Sequence, residues 1–124
     1  MMTTKDLDAF FEAGWNGHDV DRLMTFMADD CVFESTAGPE ACGTRHVGRK
    51  RVRAAFARVF AAFPDAHFGA ARHFVSGDRG LSEWLFTGTS ADGRAVEVNG
   101  CDVFTFRDGK IAVKSAFFKT RTPS

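Results

Sequence analysis

The apolar positions of the chain change their period once. Up to residue 65 they recur at helical spacing, and beyond it they alternate. Leu7, Phe10, Phe11 and Trp15 form one helical stripe behind a Thr3/Thr4 cap candidate, and Asn16-Gly17 ends it. Asp19 can cap a second short helix whose face is Val20, Leu23, Met24 and Met27, closed by Asp29-Asp30. Cys31 to Ser35 reads as a short strand, and Thr36 to Arg45 as a loop of small residues with Pro39 and Gly43. A third helix carries Val52, Ala55, Phe56, Val59, Phe60 and Phe63 on one side and stops at Pro64-Asp65. Strands at about 66–76, 81–90, 94–106 and 111–120 follow, joined by turns at Gly77-Asp78-Arg79-Gly80, Asp92-Gly93 and Asp108-Gly109. The order ααβαββββ predicts an α+β fold, with helices packed on one curved antiparallel sheet. No linker or repeat interrupts it, so a single domain spans 1–124.

Composition narrows the function classes. With 124 residues, 44% of them hydrophobic and 26% charged, the chain can build a core and is far from disordered composition. Sixteen basic and sixteen acidic residues cancel, leaving no global field to draw it onto nucleic acid or an anionic membrane. No apolar run reaches the roughly 18 residues of a membrane span. A polar start without an apolar signal region points to the cytoplasm. Cys31, Cys42 and Cys101 lack CxxC spacing, which suits reduced thiols and not a zinc site. The chain has 14 Phe, 2 Trp and no Tyr, so an aromatic pocket in it has no phenol donors.

Asp102 is the leading candidate for chemistry. It shares a strand face with Phe104 and Phe106, where desolvation would suit it to general acid or base work; the alternative is an Asp turned to solvent or paired with an Arg. A two-residue turn at Asp92-Gly93 places Glu83 directly across from Asp102 and turns Leu85 inward, with Trp84 and Phe86 on the other face. The Asp108-Gly109 turn leaves two alternatives: a two-residue loop sets Ser115 opposite Asp102, and a three-residue loop sets Lys114 there. His67 and His73 fall six residues apart on one strand face, too far to share a metal ion, and none is expected. His46, in a loop beside Arg45, is a candidate for a pocket rim. Arg45, Arg49, Lys50, Arg51, Arg53 and Arg58 form a basic cluster at the start and outer face of the third helix, either a solvated face or a clamp for an anionic partner.

Three segments carry a family resemblance: Trp15-Asn16-Gly17-His18-Asp19, Met27-Ala28-Asp29-Asp30-Cys31-Val32-Phe33, and the hairpin Gly100-Cys101-Asp102-Val103-Phe104-Thr105-Phe106-Arg107-Asp108-Gly109-Lys110-Ile111. With the ααβαββββ order, they make the chain resemble the nuclear transport factor 2-like superfamily, in its SnoaL-like and ketosteroid-isomerase-like branch. The resemblance implies a cystatin-like cone with an apolar pocket at its open end, and homodimers through the sheet face. It matches Asp102 to the protonated Asp of ketosteroid isomerases, whose Tyr falls on Phe11 and whose base falls on Ser35. Two of three roles are therefore missing. The expectation is a small hydrophobic ligand handled without a cofactor, in cyclase or isomerase chemistry at Asp102 assisted by Glu83, or a non-catalytic binding or dimerisation module. Phe11, Trp15, Phe56, Phe60 and Phe104 would wall the pocket, with Ser35, Leu85 and Lys114 beside them.

Overall fold

The computed structural model describes residues 1–124. Thr3 caps the first helix, α1 (Thr4–Ala9), in a reciprocal capping box with Asp6. The chain continues from α1 into a π-helical segment, Phe10–Trp15, in which the Asn16 N–H donates to Phe11 O. Within it, Gly14 leaves room for Leu23, which would lie 2.5 Å from a Cβ there. Asp19 caps α2 (Val20–Thr25), as its position suggested. Six strands then build one sheet around a third helix, α3 (Arg49–Ala62). The strands are β1 (Met27–Glu34), β2 (Arg45–Val47), β3 (His67–Ser76), β4 (Arg79–Thr89), β5 (Ala95–Arg107) and β6 (Lys110–Phe118).

The sheet order is β2-β1-β6-β5-β4-β3, antiparallel at every pairing except β1 with β6. The curved sheet and the helices enclose one apolar core, in which Leu7, Phe10, Phe11, Leu23, Phe56 and Phe104 are fully buried. This is the α+β cone expected from the sequence. Two local expectations fail. Met27 belongs to β1 and pairs with Ile111, so the second helix ends earlier than its apolar stripe implied. The end of the presumed loop forms β2, which pairs with β1 at Val32, Phe33 and Glu34.

Three one-residue irregularities decide which side chains face the core, because each inverts the strand parity beyond it. In β3 a bulge between Gly69 and Arg72, with Ala70 at φ 52, puts His67 outward and His73 inward. The β4–β5 connection is one residue longer than an Asp-Gly hairpin: Ser90 N–H donates to Arg94 O around Ala91-Asp92-Gly93. In β6 the pair Phe106↔Ile111 is followed by Thr105↔Val113, leaving Ala112 as an extra residue.

Side chains also fasten the helices to the sheet. The Asn16 amide exchanges two hydrogen bonds with the Phe68 backbone, 2.8 and 2.9 Å, acting as a substitute strand partner for β3. Arg49 donates to the carbonyls of Met27 and Met24, tying the start of α3 to the end of α2. That part of the basic cluster is structural.

Candidate functional site

A cavity of about 740 Å³ opens between α3 and the sheet. Rings of Trp15, Phe33, Phe63, Phe68, Trp84 and Phe86 line it, and the α3 side adds Ala55, Val59 and Ala62. Its charged residues are Lys114, Arg58 and Arg94; no Asp or Glu is among the residues that line it. An apolar wall with a few convergent polar groups is the usual form of a small-molecule site.

Lys114 supplies the polar floor. It pairs with Phe104 across the sheet and faces inward because of the extra residue at Ala112. Its Nζ donates to Asp102 Oδ1 at 2.8 Å and stands 4.7 Å from the Phe33 ring centre, 5.0 Å from Trp15 and 5.8 Å from Phe56. Those rings favour a cation that has left water. Trp84 Nε1–H donates to the other Asp102 oxygen at 3.0 Å. Both partners of the carboxyl are donors, so each of its oxygens accepts one hydrogen bond inside the protein. Gly100 makes the arrangement possible, since a Cβ there would lie 2.4 Å from the Trp84 ring.

The surroundings add one more donor and one base. The Trp15 N–H is buried without an acceptor. His46 lines the cavity, pairs with Phe33 across β1 and β2, and stacks on its ring at 5.6 Å. Burial holds the His46 imidazolium below its ordinary range, and the neighbouring Arg58 charge pushes it in the same direction. His46 and Lys114 thus flank Phe33 in one row across β2, β1 and β6.

The structure brings together some of the expected site residues and separates others. Trp15, Ser35, His46 and Lys114 line the cavity. Asp102 is fully buried as its Phe neighbours implied, but it lies behind Lys114 and Trp84 and does not line the cavity. Glu83 is not its partner. The longer β4–β5 turn pairs Ser82 with Asp102, and Glu83 faces outward to Arg72 at 3.1 Å. The same shift turns Leu85 outward and brings Trp84 and Phe86 in. Neither alternative for the last hairpin holds, since Ala116 stands opposite Asp102 and Lys114 reaches it diagonally.

Four ring assignments also change. Phe11 and Phe104 lie fully buried in the core, Phe11 stacked on His73 and Phe104 against Phe10 and Phe106. Phe56 lies under Trp15 and Phe33, and Phe60 packs on Trp15 and His18; neither lines the cavity. Among the residues missed, Arg58 carried a signal as a member of the basic cluster, and Arg94 carried none.

The model of the SnoaL-like domain family matches residues 7–114. The chain belongs to the SnoaL-like family. No curated protein matches it. Solved structures share the SnoaL-like fold at low identity. A candidate polyketide cyclase from Pseudomonas putida KT2440 is 18% identical with a TM-score of 0.84, covering 96% of this chain and 92% of its own. Another from Xanthomonas campestris pv. campestris is 22% identical with a TM-score of 0.79, covering 91% and 87%. A ketosteroid isomerase-like fold from Catenulispora acidiphila, solved with trimethylamine, is 21% identical with a TM-score of 0.77, covering 93% and 86%.

Proposed function

We propose that this SnoaL-like chain binds a small hydrophobic, carbonyl-bearing molecule in the cavity and moves a proton next to that carbonyl without a cofactor. The observation that carries the reading is the Lys114–Asp102 ion pair set at the floor of a mainly apolar cavity. Lys114 presents N–H groups to a carbonyl oxygen, and Asp102 positions it from behind. His46, neutral at pH 7, takes the proton from the carbon beside the carbonyl. The C–H electron pair becomes the C=C bond of an enolate, and the carbonyl π electrons move to the oxygen held by Lys114. Returning the proton at another carbon is an isomerisation; attack of the enolate carbon on a second carbonyl, whose oxygen then takes the proton from His46, is a cyclisation. The candidate cyclases of the same fold are consistent with the second outcome.

A non-catalytic binding module is the second reading, favoured by the lack of any carboxylate base on the cavity wall. The trimethylamine of the Catenulispora structure does not suggest an amine ligand here. The rings that would surround such a cation already surround the Lys114 ammonium. The experiment is α-hydrogen exchange of 2-tetralone in D2O, followed by NMR, with tryptophan fluorescence reporting binding. Exchange above the solvent rate that is lost in His46→Ala supports the enzyme. Binding without exchange leaves the module, and no binding removes both.

A second copy of the chain is the proposed partner, covering the outer sheet face around Phe74 and Phe117, which are 51% and 53% exposed. A monomer by light scattering at micromolar concentration would refute it.

A further inference from the structure

The two ends of the cavity differ in charge, and that difference selects a class of ligand. At the floor, Lys114 is already neutralised by Asp102. A ligand carboxylate placed there would leave an unbalanced negative charge out of water, whereas an enolate there forms together with the His46 imidazolium that balances it. The floor therefore suits a neutral dipole such as a carbonyl. At the mouth the balance is opposite. Arg58 projects from α3 and Arg94 from the β4–β5 connection, both exposed and both lining the cavity, with no acid beside them on its wall.

Their lack of partners sets these two arginines apart. Five of the eleven arginines pair with carboxylates. Arg49 and Arg79 donate to backbone carbonyls, and Arg22 lies over Phe26. Arg51, Arg58 and Arg94 form no such side-chain contact, and the last two line the cavity, Arg94 with Asp92 as an acidic neighbour in its own turn. The Arg58 charge is felt at His46, where it opposes protonation, so the α3 side of the mouth carries a positive field.

We propose that the ligand is a hydrophobic keto acid, with its carbonyl at Lys114, its apolar body among Phe63, Phe68 and Phe86, and its carboxylate between Arg58 and Arg94 at the mouth. This rests on the carbonyl reading of the floor and adds the anionic group. A guanidinium fork donates to a carboxylate while both remain partly hydrated, so affinity is gained without burying a charge. The same field speeds capture of an acid from solution.

The test compares a tetralone carboxylic acid with its methyl ester, titrated by tryptophan fluorescence into the wild type and into Arg58→Gln/Arg94→Gln. Both arginines are exposed, so the double variant keeps its fold, checked by circular dichroism. The acid is expected to bind about tenfold more tightly than the ester at low salt, with the gap shrinking as salt rises. In the double variant the acid falls to the level of the ester. Equal binding of acid and ester to the wild type overturns the inference and leaves the carbonyl pocket standing. A gap that survives in the double variant also overturns it, because the carboxylate is then held elsewhere. If neither probe binds, the pocket reading fails with it.

Discussion

Deep in the core, Phe10 meets Phe11 edge to face at 5.4 Å and Phe104 at 6.2 Å, and none of the three has exposed surface. At the cavity, Phe33, Phe63 and Phe86 make similar ring contacts on one side and border empty space on the other. The same side chain is packing in one region and a binding wall in the other. Polar groups mark the division. In the core Ser82 is bonded to His73 Nδ1 at 2.8 Å, and His73 Nε2 has only a long 3.6 Å approach to Asp8. Lys114 and Trp15, which line the cavity, instead keep N–H groups that no protein atom uses fully. Spare donors on a cavity wall, unlike an underused atom inside packed rings, are open to a bound molecule.

The contrast can be broken at several points. Lys114→Met strips the buried Asp102 of its cation and should cost about 3–5 kcal/mol in urea unfolding. Adding Asp102→Asn should restore much of that loss, and a single variant as stable as wild type would show that the pair is not isolated from water. Phe104→Ala should cost about 3–5 kcal/mol, while Phe63→Ala, already facing the cavity, should cost about 1–2 kcal/mol. Equal costs would mean that the two regions are packed alike.

The His73 imidazole is buried and held below its ordinary 6.5 by desolvation, against the opposing pull of Asp8 and Glu12. Its folded form takes up a proton less readily than its unfolded form. Stability is therefore intact above about pH 6.5 and declines as pH falls through and below that value. A thermal melting series in wild type and His73→Gln should show the wild-type decline and a flatter variant. The smallest effect belongs to the outer face: Glu83→Gln breaks a half-exposed pair with Arg72 and should change stability by less than about 0.5 kcal/mol. It should leave tetralone exchange unchanged.

The helix stripes and the four long strands were legible because they rest on periodicity, which the core enforces over many residues at once. The inward face of Asp102 was legible for the same reason, since Phe104 and Phe106 share its parity. The positions of Glu83 and Leu85 were not, because their face was inferred through a turn whose length is set by Ser90 and Arg94, outside the Asp92-Gly93 pair that signalled it. Lys114 was named, but its reach depends on Ala112, where no residue type announces a bulge. The ring assignments failed for another reason: a helix stripe says that Phe11 and Phe56 are inside, and nothing in it says where the packing stops.

The extra residue at Ala112 has a consequence for reading related chains. It uncouples the length of β6 from the direction of its side chains. A relative without it keeps the same floor if its lysine comes one position sooner after the hairpin. A gapless alignment from the hairpin would then set that lysine beside Val113, and Lys114 beside an outward residue. At 18–22% identity, the lysine has to be traced by strand register, not by column.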